Sequence, residues 1–139
     1  MTNVYSVYEQ GAYTANTESL AVEIDAPTNV EIRIRKIRIT ASDGTDTTVP
    51  DYYTKLRLVI ESAAGSGGTT FTPVPNDANA PAAASTVKTG PFTIGTVSST
   101  IDTLSVHSGT DFNWEAKDED DKIVIAPGGI FAVTLNPAH

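Results

Sequence analysis

The chain has no cysteine, one methionine, one tryptophan and only two histidines in 139 residues. Without cysteine there is no disulfide scaffold, no thiol catalysis and no zinc site built on thiolates. The histidines are His107 and the C-terminal His139, too few for a barrel metal centre that draws on several His and Glu ligands. No apolar run approaches the ~18 residues that span a membrane as a helix. Met1 is followed by Thr-Asn-Val-Tyr-Ser-Val-Tyr, with neither a basic region nor an apolar core, so no secretory signal is expected. Basic residues are scarce: 9 Lys and Arg against 17 Asp and Glu leave a net charge of −8. That balance argues against nucleic acid as a partner, because neutralising phosphates requires surplus positive charge.

Catalytic signatures are missing as well. There is no Gly-rich phosphate loop, no His-Glu-x-x-His and no Gly-x-Ser-x-Gly. His107 stands beside Ser108-Gly109 and reads as a turn residue. The acidic run Asp118–Asp121, with Asp111 and Glu115 near it, is the best oxygen-ligand candidate for calcium. Its spacing matches no EF-hand loop and no glycine supplies the sharp turn, so it reads as a solvated turn. No catalytic, cofactor-binding or metal-ligating residue is assigned, no cofactor is expected, and the chain is not expected to be an enzyme.

What is present is strand pattern. Val30-Glu31-Ile32-Arg33-Ile34-Arg35-Lys36-Ile37-Arg38-Ile39-Thr40 is the longest apolar/charged alternation in the chain. Its phase slips at Arg35–Lys36. An uninterrupted strand would turn Ile37 and Ile39 to the face that carries Arg33 and Arg35, so a bulge or kink is expected there. Leu20–Ile24 alternates in the same way, and Pro27 with its neighbours makes a turn. Ala41–Asp51 is a polar loop with an Asp-Gly turn signal. Tyr53–Glu61 is the next strand, with Leu56, Leu58 and Ile60 inward and Lys55 and Arg57 outward. Sequential strands tend to be neighbours, so this one is expected to pair antiparallel with Val30–Thr40, the two basic rows sharing a face.

The stretch 62–85 holds three glycines and three prolines and reads as a long loop. Strand signals resume at Ser85–Lys88, Phe92–Val97 and Ile101–Val106, with Gly90-Pro91 and Ser98-Ser99 read as turns. Asp111–Glu115 alternates with Phe112 and Trp114 on one side. Lys122–Ala126 and Ile130–Leu135 are nearly all apolar and read as central strands covered on both faces. No amphipathic helix of useful length appears. The expected fold is all-β: an antiparallel β-sandwich, jelly-roll-like or another Greek key, of ~8–10 strands. Residues 1–19 form an N-terminal arm or edge strand, and 20–139 form a single sandwich domain.

Two surfaces stand out. Six of the nine basic residues fall between positions 33 and 57, giving a basic face on an acidic body. It reads as the solvated face of a sheet or as a docking face for an acidic neighbour, a second copy included. Three of the five tyrosines lie in the first 13 residues, and tyrosine brings large, stiff, amphipathic area to interfaces. The candidate partner contacts are Tyr5, Tyr8, Tyr13, Arg33, Arg35, Arg38, Lys55 and Arg57, with Phe71, Pro73 and Pro75 of the long loop.

Three segments carry a resemblance. Leu-Arg-Leu-Val-Ile-Glu-Ser-Ala-Ala-Gly at 56–65 runs into Thr-Phe-Thr-Pro-Val-Pro at 70–75. Pro-Ala-Ala-Ala-Ser-Thr-Val-Lys-Thr-Gly follows at 81–90, and then Trp114–Leu135 with Ile-Val-Ile-Ala-Pro-Gly-Gly at 123–129. In this order they resemble small virion proteins of tailed bacteriophages, the β-sandwich decoration (cement) subunits of the capsid. The likeness covers positions 54 to 135 and lies in strand and loop pattern, so no site residue is carried over. It implies a non-enzymatic structural protein of the virion, assembled in the host cytoplasm. Its partners would be the major capsid protein or other virion subunits, and it would itself be a trimer or dimer. A tail, neck or head-fibre component, or a sugar- or receptor-binding sandwich module, is the alternative. The scarcity of aromatic residues argues against a carbohydrate groove.

Overall fold

The structure, a computed structural model, describes residues 4–40, 53–107 and 111–137. Among these are twelve strands and one 3₁₀ turn, at Glu119–Asp121. In chain order the strands are β1 (Tyr5–Ser6), β2 (Ser19–Asp25), β3 (Ile32–Ile34), β4 (Lys36–Thr40), β5 (Tyr53–Ala63) and β6 (Thr69–Phe71). They continue with β7 (Val74–Pro75), β8 (Thr86–Phe92), β9 (Thr96–His107), β10 (Asp111–Glu115), β11 (Ile123–Ile125) and β12 (Ile130–Pro137). Six of them form one antiparallel sheet in the order β6-β8-β2-β12-β5-β9. The ladders β11-β3 and β10-β4 make a second, narrower layer, and β1 pairs with β7. The fold is an all-β sandwich.

The main core lies between these layers. Leu56 and Leu58 of β5, Phe131 and Val133 of β12, and Ile125 of β11 are buried together. Ile32, Ile34, Ile37 and Ile39 pack against them from the narrow layer. Each such side chain contributes about 1.5–3 kcal/mol when fully buried. The isoleucines at 32 and 34 and those at 37 and 39 differ in parity, yet all four reach one core. The expected break is the reason. The chain leaves strand geometry at Arg35, between β3 and β4, and the Arg35 carbonyl accepts the Ala116 N–H at 2.8 Å. The ladder partner changes at the same point, from β11 to β10.

β12 is covered on both faces: Phe131 and Val133 face the main core, while Ala132 joins Leu20, Val59 and Phe92 in a smaller cluster on the other side. β11 is not a central strand. Its only ladder partner among the described residues is β3, and Val124 is 48% exposed.

Four other expectations change. β5 does not pair with the 30–40 strand; its neighbours are β12 and β9. The eleven residues of β5 match the long ladders of β12 and β9, and β3–β4 crosses to the opposite layer instead. Gly90-Pro91 and Ser98-Ser99 are not turns but lie inside β8 and β9. Leu20 pairs with Phe92 and Val22 with Thr89, so Gly90 and Pro91 together oppose Ala21 in a bulge. A bulge tolerates a proline because the ladder is already interrupted there. Ser98 sits at a register shift opposite β5, its hydroxyl donating to the Ile60 carbonyl at 3.1 Å. The stretch 62–85 is not free loop, since β6 extends the main sheet and β7 pairs with the arm. His107 ends β9 and is not part of a turn. Ala41–Asp51, Ser108-Gly109 and His139 lie outside the described residues.

Candidate docking site

The narrow layer covers only part of the main sheet. Among the described residues β3 and β4 have one strand neighbour each. A groove of about 2160 Å³ touches every residue from Val30 to Thr40. Successive residues of a strand point to opposite faces, so a groove that meets all of them runs along the strand's edge. Its floor is the main sheet, including Val22 and Ile24 of β2, Val87 of β8, and Phe131 and Val133 of β12. Its far wall is the N-terminal arm, Val4 to Tyr13, with Ala82 to Ser85.

The arm is fixed to its own domain. Tyr5 pairs with Pro75 in the β1-β7 ladder, and its hydroxyl donates to the Pro81 carbonyl at 2.6 Å. Tyr8 meets Phe71 edge to face, with ring centroids 4.8 Å apart. The Tyr13 hydroxyl has two acceptors, Glu9 Oε2 at 2.6 Å and the Gly90 carbonyl at 3.1 Å. Burial and the Glu9 carboxylate raise the Tyr13 pKa, which keeps the hydroxyl a donor. Pro73 is buried and lines the groove. Tyr5, Tyr8, Tyr13, Phe71 and Pro75 therefore build the arm's attachment, with Pro73 beside them on the groove wall. Only Tyr8, 69% exposed, presents a large apolar surface outward.

The basic residues divide into two groups. Arg33, Arg35, Lys36 and Arg38 are exposed along β3–β4 beside the groove. Arg33 Nη2 is 2.7 Å from Glu31 Oε1. Lys55 and Arg57 lie elsewhere. Arg57 shares a face of β5 with Val59, turned away from the main core, and its guanidinium grips Glu18 through Nε at 2.7 Å and through Nη2. The Thr134 hydroxyl donates to Glu18 at 3.2 Å, and the hydrogen bond from Arg57 holds the Glu18 carboxyl below its usual range. Lys55, two residues from Arg57 on β5, is exposed on that same face. The expected single basic patch is thus a row along one edge plus a structural ion pair on the opposite side.

Sequence reasoning missed the groove floor. Val22, Ile24 and Val87 read as ordinary core positions, and no local signal says that the opposing layer stops short of them. It also missed Glu23 and Glu61, which are 2% and 3% exposed although alternation placed each on a solvated face. With the half-buried Asp25 they form a carboxylate group on the side of the main sheet away from the groove. Among the described residues no His, Cys, Asp and Glu are arranged to hold a metal ion. No protein-family model, curated protein or solved structure matches the chain.

Proposed function

We propose that this chain is a structural subunit of a tailed-phage virion, a non-enzymatic decoration protein that binds the capsid exterior and stabilises it. The observation that carries the reading is the open edge of β3–β4, a basic row set beside an apolar-floored groove on an otherwise acidic molecule. A decoration subunit requires a stiff core, an edge or face that fits a neighbouring subunit, and many copies. The sandwich supplies the first and the open edge the second. Modest contacts repeated over a lattice then add through avidity. The fixed arm widens the contact surface, with Tyr8 exposed at its crest.

The test is a comparison of capsids assembled with and without the chain. Saturable binding in hundreds of copies per particle, with a higher temperature of DNA release, is the expected result. Absence from the particle, or no change in heat stability, sinks the reading. A few copies at one vertex would instead place the chain in the neck, tail or head fibre.

A further inference from the structure

We propose that the edge of β3–β4 with no strand neighbour among the described residues is a strand-addition site, and that its occupant is an extended segment of a partner chain in which acidic side chains alternate with apolar ones. This inference rests on the docking reading above and names the chemistry of what docks. The edge from Ile32 to Thr40 presents the three residues of β3 and the five of β4 on either side of the break at Arg35, and at ~3.3 Å per residue it can template a strand of about 25 Å that bends at the break. The groove beside it, about 2160 Å³, is more than twice the volume of a large small-molecule pocket, ~1,000 Å³. Polypeptide fits that shape and a metabolite does not.

Side-chain chemistry sets the sequence of the occupant. A strand laid on this edge turns every second residue toward the floor, where Val22 and Ile24 are apolar and only half-buried. The residues between them turn outward, beside Arg33, Arg35, Lys36 and Arg38. Opposite charges directly across a strand pair stabilise it and like charges destabilise it. The rest of the molecule is acidic, with a net charge of −8, so this row is the place where an acidic segment is steered in. Nucleic acid and anionic lipid also seek basic rows, but neither has the backbone N–H and C=O groups that extend a strand ladder.

The test uses the full chain and three nine-residue peptides. One alternates valine and glutamate, one alternates valine and lysine, and one is the glutamate peptide with two central prolines. Calorimetry and amide hydrogen exchange are the readouts. The valine–glutamate peptide is expected to bind and to slow exchange within 30–40. The lysine peptide should bind at least tenfold more weakly for lack of charge complementarity. The proline peptide should do the same, because proline cannot join a ladder. The double variant Arg35→Glu with Lys36→Glu should weaken binding at least tenfold at an unchanged unfolding midpoint, both side chains being exposed. No binding, equal binding of all three peptides, or protection elsewhere overturns the proposal. So does self-association of the chain that vanishes on deleting residues 1–10, which would make the occupant the arm of a second copy. Peptide binding without capsid association leaves this inference standing and removes the capsid reading; capsid association without peptide binding does the reverse.

Discussion

Glu23 of β2 and Glu61 of β5 flank the same strand, β12, and each is buried against a glycine amide. Gly65 N donates to Glu23 Oε2 at 2.7 Å, and Gly95 N donates to Glu61 Oε2 at 2.8 Å. Ala132 of β12 pairs with Glu23, and Ile130 pairs with both Glu61 and Asp25. Among the described residues Glu61 Oε1 and Asp25 Oδ1 have no hydrogen-bond partner. Three acids thus crowd one face of the sheet across β12, with Lys88 of β8 the cation that acts on Asp25.

Stability is therefore expected to fall as pH rises through neutrality. Burial first, then Glu23 and Asp25, push Glu61 up to about 8, against the pull of the Gly95 amide. Burial and Glu23 raise Asp25 as well, with Lys88 opposing. A carboxyl raised on folding binds its proton more tightly in the native state than in the unfolded one. Its contribution is full below the unfolded value of 4.5 and is lost as pH climbs to about 8. Glu18, lowered by Arg57, acts in the opposite sense and only at more acid pH. Thermal midpoints taken from pH 5 to pH 9 should decline, and Glu61→Gln should flatten the decline. A rising profile in the parent chain would contradict this account.

Gly95 carries the second prediction. A Cβ built there would collide with the Ala63 carbonyl oxygen and lie 2.6 Å from Glu61 Oε2. Gly95→Ala should cost about 1–3 kcal/mol, as overpacking does, and should disturb the amide that holds Glu61. Denaturant unfolding measures the loss. A shift of the pH profile in the same variant would tie the loss to the carboxylate group.

Arg57 should prove structural. Its pair with Glu18 is partly exposed, with both side chains 28% accessible, so solvent screens it. Arg57→Ala should cost no more than about 1 kcal/mol in denaturant unfolding. Binding at the β3–β4 edge should not change, because Arg57 lies on the face of β5 turned away from the main core. Loss of binding without loss of stability would restore the idea of one continuous basic patch.

Local pattern made the sandwich legible. The slip at Arg35–Lys36 could be read because four isoleucines of mixed parity have one way to share a core, and the chain breaks there. Pairing was not legible. Chain order placed β5 beside β3–β4, whereas no two adjacent strands of the main sheet are consecutive in sequence. Gly90-Pro91 misled for a related reason: the residues that make turns also make bulges, and what lies across the ladder decides between them. Arg33 and Arg57 look alike in sequence, each basic between apolar neighbours. Only the layer that each strand joins, and the presence of Glu18 beside Arg57, separates a surface row from an ion pair. Glu23 and Glu61 were hidden by the same ambiguity, because alternation marks a face without saying whether a second cluster covers it.

The last prediction concerns Arg33 and Arg38. Both are exposed on β3–β4 and flank the break at Arg35. Reversing both charges exchanges a row that attracts an acidic strand for one that repels it, while the isoleucines between them still fill the core. Arg33→Glu also sets two acids together at Glu31, in place of the present 2.7 Å pair. Exposed pairs of this kind are worth less than about 1 kcal/mol, so the unfolding midpoint should move little. Assembly onto particles should weaken at least tenfold, as measured by the protein concentration needed for half-saturation. The deficit should shrink as salt is raised, because screening weakens both the attraction in the parent and the repulsion in the variant. Unfolding of the variant, or saturation at the parent concentration, would mean that the row is only a solvated face.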